Sequence, residues 1–142
     1  MRRTLAALAA VLSCGVLAVA CDNSDGSSST PTTPVTVTTD TFSGTVQPMG
    51  SDAHNFTVAQ QGQVAITLTA AGPPPTIFMG LGVGTTGSDG SCTLLTSGTT
   101  TAQAGTTPQL AGTAAAGTFC VSVFDIGNQS APITYTVTVS HP

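Results

Sequence analysis

The chain has 142 residues and a formal net charge of −4 at pH 7. Its only basic residues are Arg2 and Arg3, whereas all six acidic residues are Asp and follow Cys21. This excludes a nucleic-acid-binding surface, because neutralising phosphates requires Lys or Arg side chains. It also disfavours a helical protein, because Glu, Lys and Arg are the usual surface helix formers, whereas Thr, a strand former, occurs 27 times.

The amino terminus has the pattern of an export signal. Arg2 and Arg3 supply a short positive region, and residues 5–20 are mostly small or apolar. This run is shorter than the roughly 20 residues that a bilayer span requires. Residues 1–20 are therefore predicted to be a signal peptide that is removed.

The residues before Cys21 are more specific than a general export signal. The sequence LAVAC at residues 17–21 resembles the lipobox of bacterial lipoproteins, although that family most often has Leu where this chain has Ala18. The resemblance implies a diacylglyceryl group on the Cys21 thiol, cleavage before Cys21 and, usually, acylation of the new amino group, for example by palmitate. The alternative is an ordinary signal peptide with a cysteine near its end by chance.

The lipid anchor makes a membrane the first predicted partner of the protein. At about 0.8 kcal/mol per buried methylene, two or three acyl chains hold a protein on a bilayer almost permanently. The predicted location is therefore the bacterial cell envelope, with the protein facing the periplasm or the exterior. Asp22 resembles the inner-membrane retention signal of some enteric bacteria, but that signal is not general, so the choice of membrane stays open.

Residues 21–40 are predicted to be the lipidated Cys and a disordered tether. Ten of residues 22–40 are Ser or Thr and two are Pro, with almost nothing apolar to bury. Such a segment cannot offset the entropy that ordering costs. The alternative is that the first strand begins within the sequence VTVT at residues 35–38.

Residues 41–142 are predicted to form one β domain. Apolar residues alternate with Thr most clearly at residues 64–69 and 133–139, which is typical of strands with one buried face. The other predicted strands are residues 42–46, 56–58, 77–83, 92–96, 109–114 and 119–123. Seven or eight short strands separated by Gly, Pro and Asp turns favour an all-β fold, a single β-sandwich.

Two stretches of this domain look like the bacterial pre-peptidase C-terminal domain. In the first, HNFTV at residues 54–58 leads through a Gln-Gly turn into residues 64–69; in the second, GTFCVSV at residues 117–123 leads into ITYTVTV at residues 133–139. The resemblance covers roughly residues 41–142 and implies a jelly-roll-like sandwich of the kind often attached to secreted peptidases. With no peptidase before the domain, it implies a fold rather than an activity.

The cysteines of the exported domain are Cys92 and Cys120. Two cysteines in an oxidising compartment most simply form one disulfide, which the chain-entropy model values at about 3.5 kcal/mol for this loop length. A metal site is the alternative, but it needs three or four ligands and the sequence places no further Cys or His close by. Because Cys120 alternates with apolar positions, the disulfide is expected on the outer face or at an edge.

Candidate catalytic residues are few. Asp52 and His54 offer the carboxylate and base of a Ser-His-Asp triad, but the chain has no Gly-x-Ser-x-Gly nucleophile elbow. His54 is therefore expected to be a surface residue at the entry to a strand. His141 lies next to the last residue, where chain ends are seldom rigid.

A glycine-rich string at residues 82–87 matches Gly-x-Gly-x-x-Gly. In a dinucleotide-binding motif a helix begins at this point and its amino end faces the pyrophosphate. Residues 88–92 are unable to form a helix, so we interpret the match as chance.

Calcium is the one cofactor that the sequence suggests. Asp89 with neighbouring Ser residues, and Asp125 with Asn128, offer the oxygen ligands that Ca²⁺ prefers. The same residue types form tight turns, which is the favoured interpretation. The prediction is therefore no cofactor and no metal, with calcium at these residues as the alternative.

Together these patterns predict a cell-envelope lipoprotein that displays a non-catalytic β-sandwich as a binding or structural accessory module. An envelope protein or polysaccharide is the predicted partner, although the absence of Trp disfavours a platform for sugars. The alternatives are a small exported hydrolase with an Asp/His site and a peptidase-associated chaperone or inhibitor acting in trans. An enzyme is expected to place His54 and an Asp in a shared concave pocket, and a binding module to disperse them over turns.

Overall fold

The computed structural model describes residues 34–142, so the predicted signal peptide, Cys21 and most of the predicted tether lie outside the described residues. Residues 34–142 form an all-β structure without a helix, as predicted. No helix in this range has the length and hydropathy of a membrane span. The strands are β1 (Thr38–Val46), β2 (Ser51–Val58), β3 (Gly62–Gly72), β4 (Met79–Thr86), β5 (Cys92–Ala102), β6 (Leu110–Ala114), β7 (Gly117–Phe124) and β8 (Ile133–His141).

The eight strands form two antiparallel sheets of four that pack face to face, which confirms the predicted β-sandwich. The first sheet has the order β1-β8-β3-β6 and the second the order β2-β7-β4-β5. The first strand therefore pairs with the last, the second with the seventh, the third with the sixth and the fourth with the fifth. This nested pairing is the double Greek key of a jelly roll.

Most strands are longer than alternation predicts, and β2 and β5 extend furthest beyond the predicted bounds. Two other boundaries show what sets the end of a strand. β1 begins at Thr38, three residues before the predicted domain boundary, because Thr38 pairs with His141 at the far end of β8. β4 begins at Met79 rather than at residue 77, since the Ile77 amide donates to the Pro74 carbonyl in a turn. In both cases long-range or turn hydrogen bonds, rather than apolar alternation, set the end of the strand.

The core lies between the two sheets. Its side chains come from alternate positions of each strand, as the period of two requires. The fully buried aliphatic side chains are Val46, Val58, Ile66, Leu68, Met79, Leu81, Val121, Val123, Val137 and Val139. Burying each of them stabilises the fold by about 1.5–3 kcal/mol relative to leaving it exposed.

The predicted disulfide between Cys92 and Cys120 is present. Phe119 and Val121 pack in or against the core, so Cys120, between them, points to the outer face of the second sheet. The disulfide joins β5 to β7 across β4. It therefore constrains the outer face of this sheet, as the alternation predicts.

Three of the four outward positions of β4 are glycines, at residues 80, 82 and 84. A Cβ at Gly80 would overlap the ring of Phe124, and one at Gly82 would lie 2.9 Å from the side chain of Leu94. These side chains thus lie flat over the strand. Close packing accounts for the glycine at position 82 in the Gly-x-Gly-x-x-Gly string, which lies on a strand that no helix follows.

Candidate functional site

A polar cluster joins the two sheets at the edge formed by β1 and β2. Asp52 and His54 occupy inward positions of β2, and Tyr135 occupies an inward position of β8. Tyr135 Oη lies 2.8 Å from Asp52 Oδ2 and 2.8 Å from His54 Nε2. The structure therefore brings together the two residues that the sequence offered as a catalytic pair, and it adds a tyrosine between them.

The hydroxyl of Tyr135 is both a donor and an acceptor in this cluster. Tyr135 donates its hydroxyl hydrogen to Asp52, so its oxygen accepts from His54 Nε2. Burial, followed by the hydrogen bond and the negative charge of Asp52, raises the pKa of the Tyr135 phenol above its ordinary value of 10.0. Tyr135 is therefore a neutral link rather than a nucleophile, and the His54 nitrogen that faces it already carries a hydrogen.

The neighbours of the cluster fix its position. The ring of Phe42 stacks on that of His54, with centroids 4.9 Å apart and planes 7° apart. Gly44 leaves the space that the cluster fills, because a Cβ there would lie 2.8 Å from Tyr135 Oη and overlap the Asp52 carboxylate. The expectation that His54 is a surface residue was wrong, since its inward position in β2 places it half-buried between the sheets.

A second His–Asp pair lies farther along the same edge. His141 Nε2 is 3.0 Å from Asp40 Oδ2, and Nδ1 is 3.3 Å from the Pro142 carbonyl oxygen. His141 is only 5% exposed, because β8 continues to this residue and Phe56 packs on its ring. The expectation that His141 is poorly held was therefore wrong, because the pairing of β1 with β8 fixes it.

Both histidines lack the partner that nucleophilic catalysis requires. In residues 34–142 neither ring nitrogen hydrogen-bonds to a Ser or Thr hydroxyl, and both cysteines are in the disulfide. Asp40 and His141 line a polar groove of about 570 Å³, but both nitrogens of His141 already face oxygen acceptors. The arrangement clamps β1 to its neighbours.

The carboxylate of Asp125, a candidate calcium ligand, accepts hydrogen bonds from backbone amides. Its Oδ2 accepts from the Met49 amide at 2.7 Å, and its Oδ1 accepts from the amides of Gly127, Asn128 and Gln129. These hydrogen bonds, of which the one from the Met49 amide has the largest effect, lower the pKa of the Asp125 carboxyl. A calcium ion at Asp125 would compete with four amide donors.

The other two calcium candidates also make turn or loop contacts. Asp89 Oδ1 accepts from the hydroxyl and the amide of Ser91, at 2.6 and 3.0 Å. These hydrogen bonds, of which the one from the Ser91 hydroxyl has the largest effect, lower the pKa of the Asp89 carboxyl. The Asn128 amide nitrogen donates to the Phe78 carbonyl at 3.0 Å. No cluster of three or more His, Cys, Asp or Glu side chains suited to a metal occurs within residues 34–142.

An apolar depression opens at the opposite edge of the sandwich, between β5 and β6. We call it the β5–β6 groove; its volume is about 470 Å³. The side chains of both sheets line it, chiefly Phe56, Val64, Ile66, Val83, Leu95, Leu110, Ala114 and Phe119. Several of these residues belong to the core, so the groove is a corner of the core that is open to solvent.

Small residues in β6 create the groove. Leu110, Gly112 and Ala114 face the core, because Leu110 pairs with Ile66, and paired residues point to the same face. Two of these three inward positions thus carry little or no side chain. A Cβ built at Gly112 finds nothing within 4 Å.

An irregularity in β5 shapes the other wall of the groove. Gly82 pairs with Thr99 and Gly84 with Leu94, so residues 95–98 of β5 oppose Val83 alone. Such a bulge changes the direction of side chains at a sheet edge. It leaves Leu95 45% exposed at the rim of the groove.

Comparisons with known proteins do not assign a family. No protein-family model matches the chain, and no curated protein matches it. The resemblances to lipoproteins and to the pre-peptidase C-terminal domain stay predictions. The groove escaped sequence reasoning, and the signal that could have found it is the pair of small residues, Gly112 and Ala114, at inward positions of a strand.

Proposed function

We propose that the chain is a cell-envelope lipoprotein whose β-sandwich is a non-catalytic binding module, with the β5–β6 groove as its binding site. The groove is the observation that carries the binding role. Its volume of about 470 Å³ lies in the range of ligand pockets, which are mostly apolar. The LAVAC sequence at residues 17–21 supports the envelope location.

The chemistry of the groove favours binding over catalysis. None of the described residues that line it is ionisable, so the groove offers burial of apolar surface but no general acid or base. The four Asp and two His of residues 34–142 lie outside it and make hydrogen bonds within the fold. A ligand therefore gains affinity by leaving water and keeps its covalent structure.

Cell fractionation tests the envelope location. The full-length protein is produced in a bacterial host, and membranes are separated from soluble fractions for the wild type, Cys21→Ser and, as a matched control, Cys14→Ser. We expect Cys21→Ser to move into the soluble fraction, because it loses its acyl chains, and Cys14→Ser to stay with the membrane. A Cys21→Ser protein that remains in the membrane contradicts the lipid anchor.

A small exported hydrolase is the second candidate, favoured by the 3.8 Å separation of His54 Nε2 and Asp52 Oδ2. The purified wild type is assayed against activated esters beside His54→Gln and the control His141→Gln. The binding module predicts equal background rates for all three proteins. Turnover that His54→Gln abolishes and His141→Gln keeps would favour the hydrolase.

A further inference from the structure

The β5–β6 groove is a slot between two sheets. Packed sheets lie about 10 Å apart, which leaves room for one layer of side chains. The floor of the slot consists of core residues, with Ile66 2% and Phe56 3% exposed. β6 forms one wall of the slot, and its five residues span about 17 Å at 3.4 Å per residue.

The charge of the domain restricts what enters the slot. Residues 34–142 contain four Asp and neither Lys nor Arg. A carboxylate, phosphate or sulfate group would find no cation there, and burying an unpaired charge is costly. The buried part of the ligand is therefore uncharged.

The shape of the slot disfavours a protein segment. A helix with its side chains is about 10–12 Å across, at least as wide as the roughly 10 Å between the backbones of packed sheets. An added strand would need a regular edge to pair with. The bulge at residues 95–98 interrupts the edge of β5, and β6 offers only five residues.

On the basis of the proposed binding function, we propose that the slot binds a single uncharged hydrocarbon chain. The chain lies along β6 in the space that Gly112 and Ala114 leave, between Leu110 on one wall and Phe119 on the other. Its polar end lies at the rim, where the domain offers no Lys or Arg to a charged group. An alcohol, an ester or the tail of a larger lipid has this chemistry.

Fluorescence titration of the full-length protein with the uncharged probe N-phenyl-1-naphthylamine tests the proposal. Gly112→Leu places a side chain in the slot at a position where a Cβ has no atom within 4 Å. Gly105→Leu is a matched control outside the slot, where a Cβ has only an ordinary contact with Gln109. We expect Gly112→Leu to weaken probe binding at least tenfold and Gly105→Leu to change it less than twofold. Ala114→Leu provides a second filled variant, and thermal melting establishes that each variant is folded.

Competition with two ligands of equal chain length tests the charge. We expect 1-dodecanol to displace the probe at concentrations at least tenfold below those of dodecanoate. Equal probe binding by the wild type and both filled variants would overturn the site, and equal displacement by dodecanoate would overturn the ligand class. Equal displacement by dodecanoate, with probe binding still weakened in the filled variants, removes the ligand class and keeps the groove as a binding site. Equal probe binding by all variants removes the groove as a site, and the Cys21→Ser fractionation tests the envelope location independently.

Discussion

Tyr135 in β8 donates a hydrogen bond to Asp52 in β2, with 2.8 Å between Oη and Oδ2, and this bond joins the two sheets at the β1–β2 edge. Tyr135 is 3% exposed, whereas the side chain of Asp52 keeps 33% of its surface in solvent. A buried phenol thus holds a half-exposed carboxylate and, through its oxygen, the ring of His54.

Tyr135→Phe is expected to destabilise the fold while keeping the ring in the core. The variant loses the hydrogen bonds to Asp52 and His54, and because Asp52 can still be hydrated, we expect a loss of about 1–2 kcal/mol in the free energy of unfolding. Urea denaturation measures it. The control Ser43→Ala, which removes an exposed hydrogen bond to Thr136, is expected to change it by less than about 0.5 kcal/mol. Equal effects would contradict a special role for the cluster.

The same cluster predicts a loss of stability at alkaline pH. The pKa of Tyr135 is raised in the folded protein above 10.0, so its contribution is complete below the unfolded pKa and is lost as pH rises from there toward the folded pKa. Tyr135 is the only tyrosine, so ultraviolet absorbance of tyrosinate reports it alone. We expect the folded protein to titrate at higher pH than the urea-unfolded protein. Coincident titration curves would contradict the predicted shift.

Acid stability is expected to depend on Asp125. Its pKa is lowered in the folded protein, so its contribution is present above the unfolded value of 3.8 and is lost as pH falls through the folded pKa. Asp125→Ala is therefore expected to lower the melting temperature at pH 7, with a difference from the wild type that shrinks as pH falls below 3.8. Asp89→Ala is the control, because the Asp89 carboxylate accepts hydrogen bonds only from Ser91. An equal decrease in the melting temperature of Asp89→Ala would contradict the role of the Met49 amide.

Calcium is tested in the same melting experiment. Four backbone amides already use the Asp125 oxygens, so we expect the same melting temperature with calcium and with a chelator. A higher melting temperature in calcium that Asp125→Ala abolishes would establish the alternative. A shift that Asp89→Ala abolishes instead would place the ion in the β4–β5 turn.

The sequence predicted seven or eight strands, most clearly β3 and β8, where one buried face leaves a period of two in the sequence. The Tyr135–Asp52 contact escaped prediction because it depends on which edges of two sheets meet, and the residues are 83 positions apart. The groove escaped for a different reason. Gly112 and Ala114 weaken the apolar pattern of residues 109–114, so the space that they leave carries no hydrophobic signal of its own.

The disulfide is expected to be the largest single contribution outside the core. Cys92 and Cys120 are 28 positions apart, and closing a loop of this length restricts the unfolded chain by about 3.5 kcal/mol. The double variant Cys92→Ala/Cys120→Ala is therefore expected to lose about 3.5 kcal/mol in the free energy of unfolding, measured by urea denaturation. The variant is expected to keep its fold at low temperature, because the disulfide lies on the outer face of the second sheet and the core residues on the other face are unchanged. An unchanged denaturation midpoint would contradict this contribution of the disulfide.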